Sequence, residues 1–152
     1  AALALHDVHA LDRPSALLLI DVDGFKRVND DHGHVAGDAL LRAAGATLRS
    51  LLRPGDIAGR YGGDEFAVIC PATGAGEATR LAEAYRAAVE AIVLAEAPDQ
   101  RHSVSIGIAL AGRGHARLED WIHKADAALY DAKRRGRNCL VLSPAEALEA
   151  TG

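Results

Sequence analysis

The chain has little of what several classes of protein require. It contains two cysteines, Cys70 and Cys139, no methionine, one tryptophan, three tyrosines and two phenylalanines in 152 residues. Two cysteines without a metal-site spacing indicate neither a disulfide framework nor a zinc cluster, and Cys70 ends an apolar run that predicts a buried thiol. No apolar run approaches the ~20 residues of a membrane span, and the opening lacks the basic start of a signal peptide. We therefore expect a cytoplasmic domain with no membrane contact in this segment.

Length and charge narrow the possible functions. A chain of 152 residues with 49% hydrophobic content predicts one domain, over residues 1–152, with a substantial core. The formal net charge of −4 argues against nucleic acid as a partner. Residues 133–137 (Lys-Arg-Arg-Gly-Arg) concentrate four cations. Such a run is typical of a helix end, where cations complement the dipole and glycine stops the helix, and it is also compatible with a phosphate site.

Two adjacent acids stand in an apolar context in the middle of the chain. Gly62 and Gly63 precede Asp64 and Glu65, with strand-like segments on both sides. A glycine pair between strands predicts a tight hairpin, because both glycines accept a positive φ. The turn would then present two carboxylates, which is unfavourable unless a cation or a ligand uses them.

A second acidic segment, upstream in the chain, suggests a use for the carboxylates of Asp64 and Glu65. Residues 16–20 form a continuous apolar run, which predicts a strand buried on both faces, and Asp21 and Asp23 follow it. Residues two apart in a strand share a face. Carboxylates about 4 Å apart at an effective dielectric of about 20 repel by roughly 4 kcal/mol. A divalent cation removes this repulsion, and oxygen ligands without nitrogen or sulfur favour Mg²⁺.

Hydrophobic periodicity predicts the other elements. Helices are expected over residues 1–14 (in part), 25–31, 35–52, 77–95 and 117–135. Strands are expected over residues 103–110 and 140–142, and the tail from residue 143 is expected to be partly helical or disordered. Strict alternation predicts that the strand 103–110 is half-buried. A hairpin among alternating helices and strands favours an α/β (α+β) fold with a ferredoxin-like mixed central sheet flanked by helices over a doubly wound parallel sheet.

Five sequence blocks, in order, resemble the GGDEF domain, the catalytic unit of diguanylate cyclases. They are residues 21–30 (DVDGFKRVND), 33–38 (GHVAGD), 60–66 (RYGGDEF), 105–107 (SIG) and 125–138 (ADAALYDAKRRGRN). The resemblance runs from about residue 17 to residue 140. It implies a nucleotidyl-cyclase fold related to the polymerase palm, and condensation of two GTP into cyclic di-GMP with release of two pyrophosphates.

The resemblance also implies roles for individual residues. Mg²⁺, with Mn²⁺ as the alternative, would be held by Asp21, Asp64 and the carbonyl of Val22. Glu65 would either support the metal site or help to deprotonate the attacking 3′-hydroxyl, and both roles stay open. The implied substrate contacts are Asn29 and Asp38 for the guanine edge, and Gly24, Phe25, Lys26, Gly62, Gly63, Lys133 and Arg137 for the phosphates.

A further match concerns inhibition by the product. Arg53 and Asp56 are three apart, and five residues separate Asp56 from the glycine pair, as in the family's inhibitory site for cyclic di-GMP. A helix end followed by a turn would also explain this segment. The family often adds an arginine from the next helix, and here that position is Ala84. Arg80 or Arg86 could replace it.

The resemblance leaves two interpretations of function. The first is an active cyclase, which works as a homodimer because each copy would hold one GTP. The alternative is a non-catalytic GTP or cyclic di-GMP receptor, against which the intact Asp64 and Glu65 argue. A template-directed nucleotidyl transferase would need a basic surface that the net charge does not offer.

The opening lacks the family's usual Asp-x-Leu-Thr-type segment, so we expect a fragment of a longer protein with a truncated first helix in residues 1–14.

Overall fold

The computed structural model describes residues 14–112 and 117–144. Along the chain its elements are β1 (Ser15–Val22), α1 (Phe25–His32), α2 (His34–Leu51), β2 (Ile57–Arg60), β3 (Glu65–Cys70), α3 (Ala75–Glu90), β4 (Val104–Ala111), α4 (Leu118–Arg134) and β5 (Leu140–Leu142). Except for Pro14, the helix predicted in residues 1–14 lies outside the described residues, as does the tail beyond residue 144. Within these residues no helix is long and apolar enough to cross a membrane.

The strands form one mixed sheet in the order β2-β3-β1-β4-β5. The central strand β1 is antiparallel to both β3 and β4, whereas β4 and β5 are parallel. The predicted mixed sheet flanked by helices is therefore confirmed. So is the prediction that β1 is covered on both faces, since each of its residues except Asp21 is buried.

The alternation of β1 divides the core into two layers. Leu18 and Ile20 pack in the larger cluster with residues of α2 and α3. Leu17 and Leu19 point to the opposite face, where they join Trp121 of α4. Because side chains two apart share a face, the α4 side of β1 continues from these leucines to the acidic residues at the end of the strand.

The prediction that the strand 103–110 is half-buried is wrong. All residues of β4 except Leu110 are buried, because α4 covers the face that alternation left for solvent. Gly107 makes this possible. A Cβ at this position would lie 2.8 Å from Leu129 Cα, and closer still to the carbonyl oxygen of Ala125 and the nitrogen of Leu129. Glycine is needed here because the backbone of α4 rests directly on β4.

The helix predicted over residues 77–95 is too long at its C-terminus. It ends at Glu90, and the following residues form turns with a bridge between Leu94 and Ala97. Both of these side chains are buried, so the chain must turn back towards the core. Pro98 also disfavours helical backbone at the preceding residue. The same helix begins two residues earlier than predicted, at Ala75, and the boundaries of the other three helices agree with the predictions to within one residue.

Candidate active site

The two acidic elements meet at one end of the sheet, as the sequence predicts. Asp21 lies opposite Glu65 on β3 and opposite Ser105 on β4. The N–H of Val22 donates a hydrogen bond to the carbonyl oxygen of Asp64 at 3.0 Å. The end of β1 is thus hydrogen-bonded directly to the acidic loop, and the carboxylates of Asp21 and Asp64 become neighbours.

The carboxylate of Asp21 is the most constrained group of this cluster. Its Oδ2 forms an ion pair with the ammonium of Lys133 on α4. Its Oδ1 is buried and has no hydrogen-bond partner among the described residues. A buried carboxylate oxygen without a donor is unfavourable, so the site offers an oxygen that a cation can use.

Electrostatics show an excess of negative charge at this point. Burial raises the pKa of Asp21, and the neighbouring Asp64 raises it further, against the lowering effect of Lys133. For Lys133, burial lowers the pKa, but Asp21, Glu65 and Asp64 together outweigh it and the net shift is upward. One lysine therefore faces three carboxylates, which leaves the cluster short of positive charge.

The donor set fits a magnesium ion. In residues 14–112 and 117–144 no group of three or more His, Cys, Asp or Glu side chains is arranged to hold a metal, and the predicted set is smaller: Asp21, Asp64 and the carbonyl of Val22. The N–H of Val22 faces Asp64, and the N–H and C=O of a strand residue point to the same side. All three donors are oxygens, as Mg²⁺ prefers.

The predicted hairpin is present, since β2 and β3 pair antiparallel, but the expectation that its glycines adopt a positive φ is wrong. The strands β2 and β3 are joined by the four residues 61–64, and neither Gly62 nor Gly63 has a positive φ. The N–H of Tyr61 donates to the carbonyl of Glu65 at 2.9 Å, and Arg60 donates to the carbonyl of Gly63.

Glycine matters in this loop because it has no side chain, and not because it allows a positive φ. A Cβ at Gly62 would lie 2.8 Å from Oε1 of Glu65, whose side chain folds back over the loop, whereas a Cβ at Gly63 would meet nothing within 4 Å. Gly63 is exposed. The loop therefore keeps a bare stretch of backbone beside the carboxylates, open to a ligand.

Helix α1 begins immediately after the acidic strand end. Gly24 precedes it with φ 66°, and no side chain caps its first turn. The N–H groups of a first turn have no partners within the helix, and they attract anions. Lys26 is exposed on this turn. Gly24, Phe25 and Lys26 are therefore placed as predicted, next to the carboxylate cluster.

The predicted guanine-binding pair is also brought together. Asn29 lies on α1 and Asp38 on α2, and their helices are joined at Gly33, whose N–H donates to the carbonyl of Asn29 at 2.8 Å. A Cβ at Gly37 would lie 2.8 Å from Cγ of Asn29 and closer still to its Oδ1. The side chain of Asn29 thus rests on Gly37, beside the exposed Asp38.

The basic run ends helix α4, as expected. The N–H of Arg137 donates to the carbonyl of Ala132 at 3.1 Å, which closes the last turn. Gly136, Arg137 and Asn138 follow with φ of 115°, 66° and 50°. Lys133 points to Asp21 from the last helical turn, and Arg137 is exposed just beyond it.

The residues predicted to bind the product, Arg53 and Asp56, lie near the start of β1, at the opposite end of that strand from Asp21, because Arg53 contacts Thr73, whose N–H donates to the carbonyl of Pro14. The carboxylate of Asp56 accepts from the backbone N–H of Arg53 at 2.8 Å, and the guanidinium of Arg53 reaches the same carboxylate at 3.5 Å. Arg53 also pairs with Glu77 at 2.9 Å and donates to Thr73 Oγ1. The pKa of Arg53 is raised, chiefly by its hydrogen bond to Asp56.

These residues line a groove of about 330 Å³ between the end of α2 and α3. Ala84 is part of its wall, as the family register indicates, and Arg80 is in the wall one turn earlier. Arg86 instead pairs with Glu83 at 2.6 Å and with Glu90 at 3.1 Å. Of the two arginines considered as replacements, Arg80 is therefore the one in the groove.

Sequence reasoning missed one set of polar contacts near the carboxylates. Asp23 accepts hydrogen bonds from the hydroxyls of Ser103 and Ser105 and from the backbone N–H of Asn138. The face shared by Asp21 and Asp23 was predictable from their spacing. The donors lie at least 80 residues away along the chain, and nothing in the sequence pairs them.

Comparisons with known proteins agree with this architecture. The sequence matches the family described as "Diguanylate cyclase, GGDEF domain" over residues 2–139. It is 41% identical over 129 residues to diguanylate cyclase DgcM of Escherichia coli K12, covering 85% of this chain and 31% of the relative. It is 39% identical over 137 residues to diguanylate cyclase VdcA of Vibrio cholerae, covering 86% and 39%. The chain thus spans about a third of these relatives.

The solved structures that this chain resembles are also GGDEF domains. The GGDEF domain of DgcB from Caulobacter crescentus, crystallised in complex with c-di-GMP, superposes with a TM-score of 0.86 at 31% identity, covering 92% of this chain and 84% of that one. The GGDEF domain of PA1120 from Pseudomonas aeruginosa gives a TM-score of 0.84 at 38% identity, covering 94% and 90%. The chain belongs to the GGDEF family of diguanylate cyclase domains.

Proposed function

We propose that this domain is an active diguanylate cyclase, which condenses two GTP into cyclic di-GMP and two pyrophosphates across a pair of identical copies in the cytoplasm. One observation carries the proposal: Asp21 and Asp64 meet at the end of β1, where Oδ1 of Asp21 is buried without a partner among the described residues. Curated relatives named diguanylate cyclase support the same activity.

The nucleotide would be bound at two places on the α1 side of the cluster. The exposed carboxylate of Asp38 would accept from the N1–H and N2–H₂ donors of guanine, with Asn29 beside it. Adenine does not present these donors in that arrangement, so this pair would select GTP over ATP. The phosphates would lie between the first turn of α1, with Lys26, and the end of α4, with Lys133 and Arg137.

Asp21, Asp64 and the carbonyl of Val22 would hold Mg²⁺, or Mn²⁺ in its place, which would stabilise charge on the α-phosphate and lower the pKa of the attacking hydroxyl. Lys133 has three N–H donors, so it can contact a phosphate while it remains close to Asp21. For Glu65 we retain both roles, support of the metal site and acceptance of the hydroxyl proton.

Chemistry requires a second copy, because one site holds one nucleotide. In each half of the reaction the 3′-oxygen of one GTP bonds to the α-phosphorus of the other. The bond from that phosphorus to the pyrophosphate oxygen breaks, pyrophosphate leaves, and the hydroxyl proton passes to a base or to solvent. Two such displacements, one in each copy, close the ring of cyclic di-GMP.

The groove at Arg53 and Asp56 would bind the product and inhibit the reaction. Arginine forks suit phosphate and guanine edges, and Arg80 would supply the cation that Ala84 lacks. Glu77 opposes this, because its carboxylate lies in the same groove and pairs with Arg53. We therefore expect binding that is measurable but weak.

The test is product formation from GTP and Mg²⁺, measured by chromatography and mass spectrometry after bound nucleotide has been stripped. Cyclic di-GMP from the native chain, and none from Asp64→Ala at an unchanged unfolding midpoint, supports the proposal. Equal turnover by Asp64→Ala would overturn the assignment of the site.

The receptor alternative makes a different prediction in the same assay. A receptor would bind GTP or cyclic di-GMP without turnover, even when a fused coiled coil holds two copies together. Turnover that appears only in the fused protein would instead indicate an active domain that pairs weakly.

A further inference from the structure

Asp23 has a carboxylate to which the proposed reaction gives no task. It follows Asp21 by two residues, directly after the end of β1. Its oxygens accept three hydrogen bonds inside the fold: from Ser103 Oγ at 2.7 Å, from Ser105 Oγ at 2.6 Å and from the backbone N–H of Asn138 at 3.0 Å. Its own N–H donates to the carbonyl of Ser103 at 2.9 Å. Three of the roughly four acceptor positions of the carboxylate are thus used within the fold, and Asp23 connects the end of β1 to the segments at Ser103 and Asn138.

The segment that Asp23 holds is conformationally unusual. Gly136, Arg137 and Asn138 have φ of 115°, 66° and 50°, and side chains other than glycine rarely adopt such values. A strained segment persists only where its surroundings determine it, and such segments occur at ligand clamps. The backbone N–H of Asn138 is fixed by Asp23, at the residue directly after Arg137.

The side chain of Asn138 fixes the same turn from the other side. Its Oδ1 accepts from Arg86 at 3.0 Å, and its Nδ2 donates to Glu90 at 2.6 Å. Both partners lie on α3. The turn is therefore clamped between the end of β1 and α3, while Arg137 itself remains exposed.

We propose that Asp23 is a positioning residue, which fixes the 136–138 turn and so sets where Arg137 meets the triphosphate, without touching substrate or metal itself. The proposal rests on the proposed function, because it concerns the site for GTP. It assigns the two carboxylates of the Asp-Val-Asp segment separate tasks: Asp21 serves the metal and Asp23 serves the phosphate-binding turn.

The experiment measures binding by calorimetry in the full chain, with Mg²⁺, of a GTP analogue that has a methylene group between the α- and β-phosphates. Asp23→Asn keeps the shape of the side chain but places an amide where donors converge. We expect affinity for the analogue to fall about tenfold, the size of one lost charge-assisted contact, with unchanged affinity for guanosine and an unchanged Mg²⁺ midpoint. Combined with Arg137→Ala, Asp23→Asn should cause no further loss, because both changes remove the same contact.

Three results separate the possibilities. Additive losses in the double variant, or a shifted Mg²⁺ midpoint for Asp23→Asn, would overturn the positioning role. Failure of the native chain to bind the analogue would overturn the proposed function and this inference together. If Asp23→Asn does not fold, Ser105→Ala can be used instead, because it removes one of the three hydrogen bonds to Asp23. Ser105→Ala should lower the affinity for the analogue by a smaller factor, and this loss should also disappear in the Arg137→Ala background. An additive loss in that background contradicts the proposal.

Discussion

The contact between β4 and α4 predicts a large effect of one methyl group. In Gly107→Ala the new Cβ would lie 2.8 Å from Leu129 Cα and closer to two other backbone atoms of α4. Backbone atoms cannot rotate away as side chains do. To restore an ordinary contact of 3.4 Å to Leu129 Cα alone, the helix must move by about 0.6 Å, and the two closer backbone atoms require a larger shift. Such overpacking destabilises a fold by about 1–3 kcal/mol.

The same movement reaches the active site. Lys133 lies one turn beyond Leu129 on α4 and pairs with Asp21. A displacement of about 1 Å at a catalytic group can lower the rate by about 10²-fold. Gly107→Ala should therefore lose turnover by more than its loss of folded protein explains.

The assay is urea unfolding of Gly107→Ala beside a matched control, Gly59→Ala. Gly59 lies in β2, has no positive φ, and a Cβ there would meet nothing within 4 Å. A loss of about 2 kcal/mol lowers the midpoint by about 1 M urea when the slope is about 2 kcal/mol/M, whereas the control should change by no more than about 0.5 kcal/mol. Equal midpoints for the two variants would refute the close packing of α4 on β4.

Three further predictions use other parts of the structure. Glu77→Gln removes a carboxylate that competes for Arg53 and should tighten cyclic di-GMP binding several-fold in calorimetry; unchanged or weaker binding would place the product elsewhere. Burial raises the pKa of Cys70 to about 12. A thiol reagent at pH 8 should therefore label the half-buried Cys139 in the folded protein, and Cys70 only after unfolding. Rapid labelling of both thiols in the folded protein would contradict the buried position of Cys70. Burial raises the pKa of Asp21 above its unfolded value, so ionised Asp21 destabilises the fold at neutral pH and no longer does so when it is protonated in acid. Asp21→Asn should therefore raise the unfolding midpoint at pH 7 but not at pH 3. A lower midpoint at pH 7 would show that the ion pair with Lys133 outweighs the cost of burial.

The sequence predicts the acidic cluster because local rules act in the same direction there. The apolar run before Asp21 requires a buried strand, and the strand-like segments around Asp64 require a neighbouring pair. Once the two are adjacent in an antiparallel sheet, their ends must coincide. The order of the remaining helices and strands then leaves a mixed sheet as the simplest arrangement.

The wrong predictions share a physical cause, which is packing between distant segments. Alternation in β4 suggested one solvent-exposed face, but Gly107 and Ala109 on that face are small residues against which α4 packs. The Gly62-Gly63 pair suggested a turn with positive φ, but Gly62 makes room for the side chain of Glu65 instead. Periodicity describes the character of a face, and it does not identify what covers that face.

The most direct test of the central claim is the initial rate of cyclic di-GMP formation at two protein concentrations tenfold apart, with GTP and Mg²⁺ in excess. If each copy supplies half of the site and copies pair weakly, the rate should rise by more than tenfold, approaching a hundredfold. It should fall when inactive Asp64→Ala is mixed in, because mixed pairs cannot complete both displacements. A rate that rises tenfold and is unaffected by the inactive variant would show that one copy suffices, which contradicts the account.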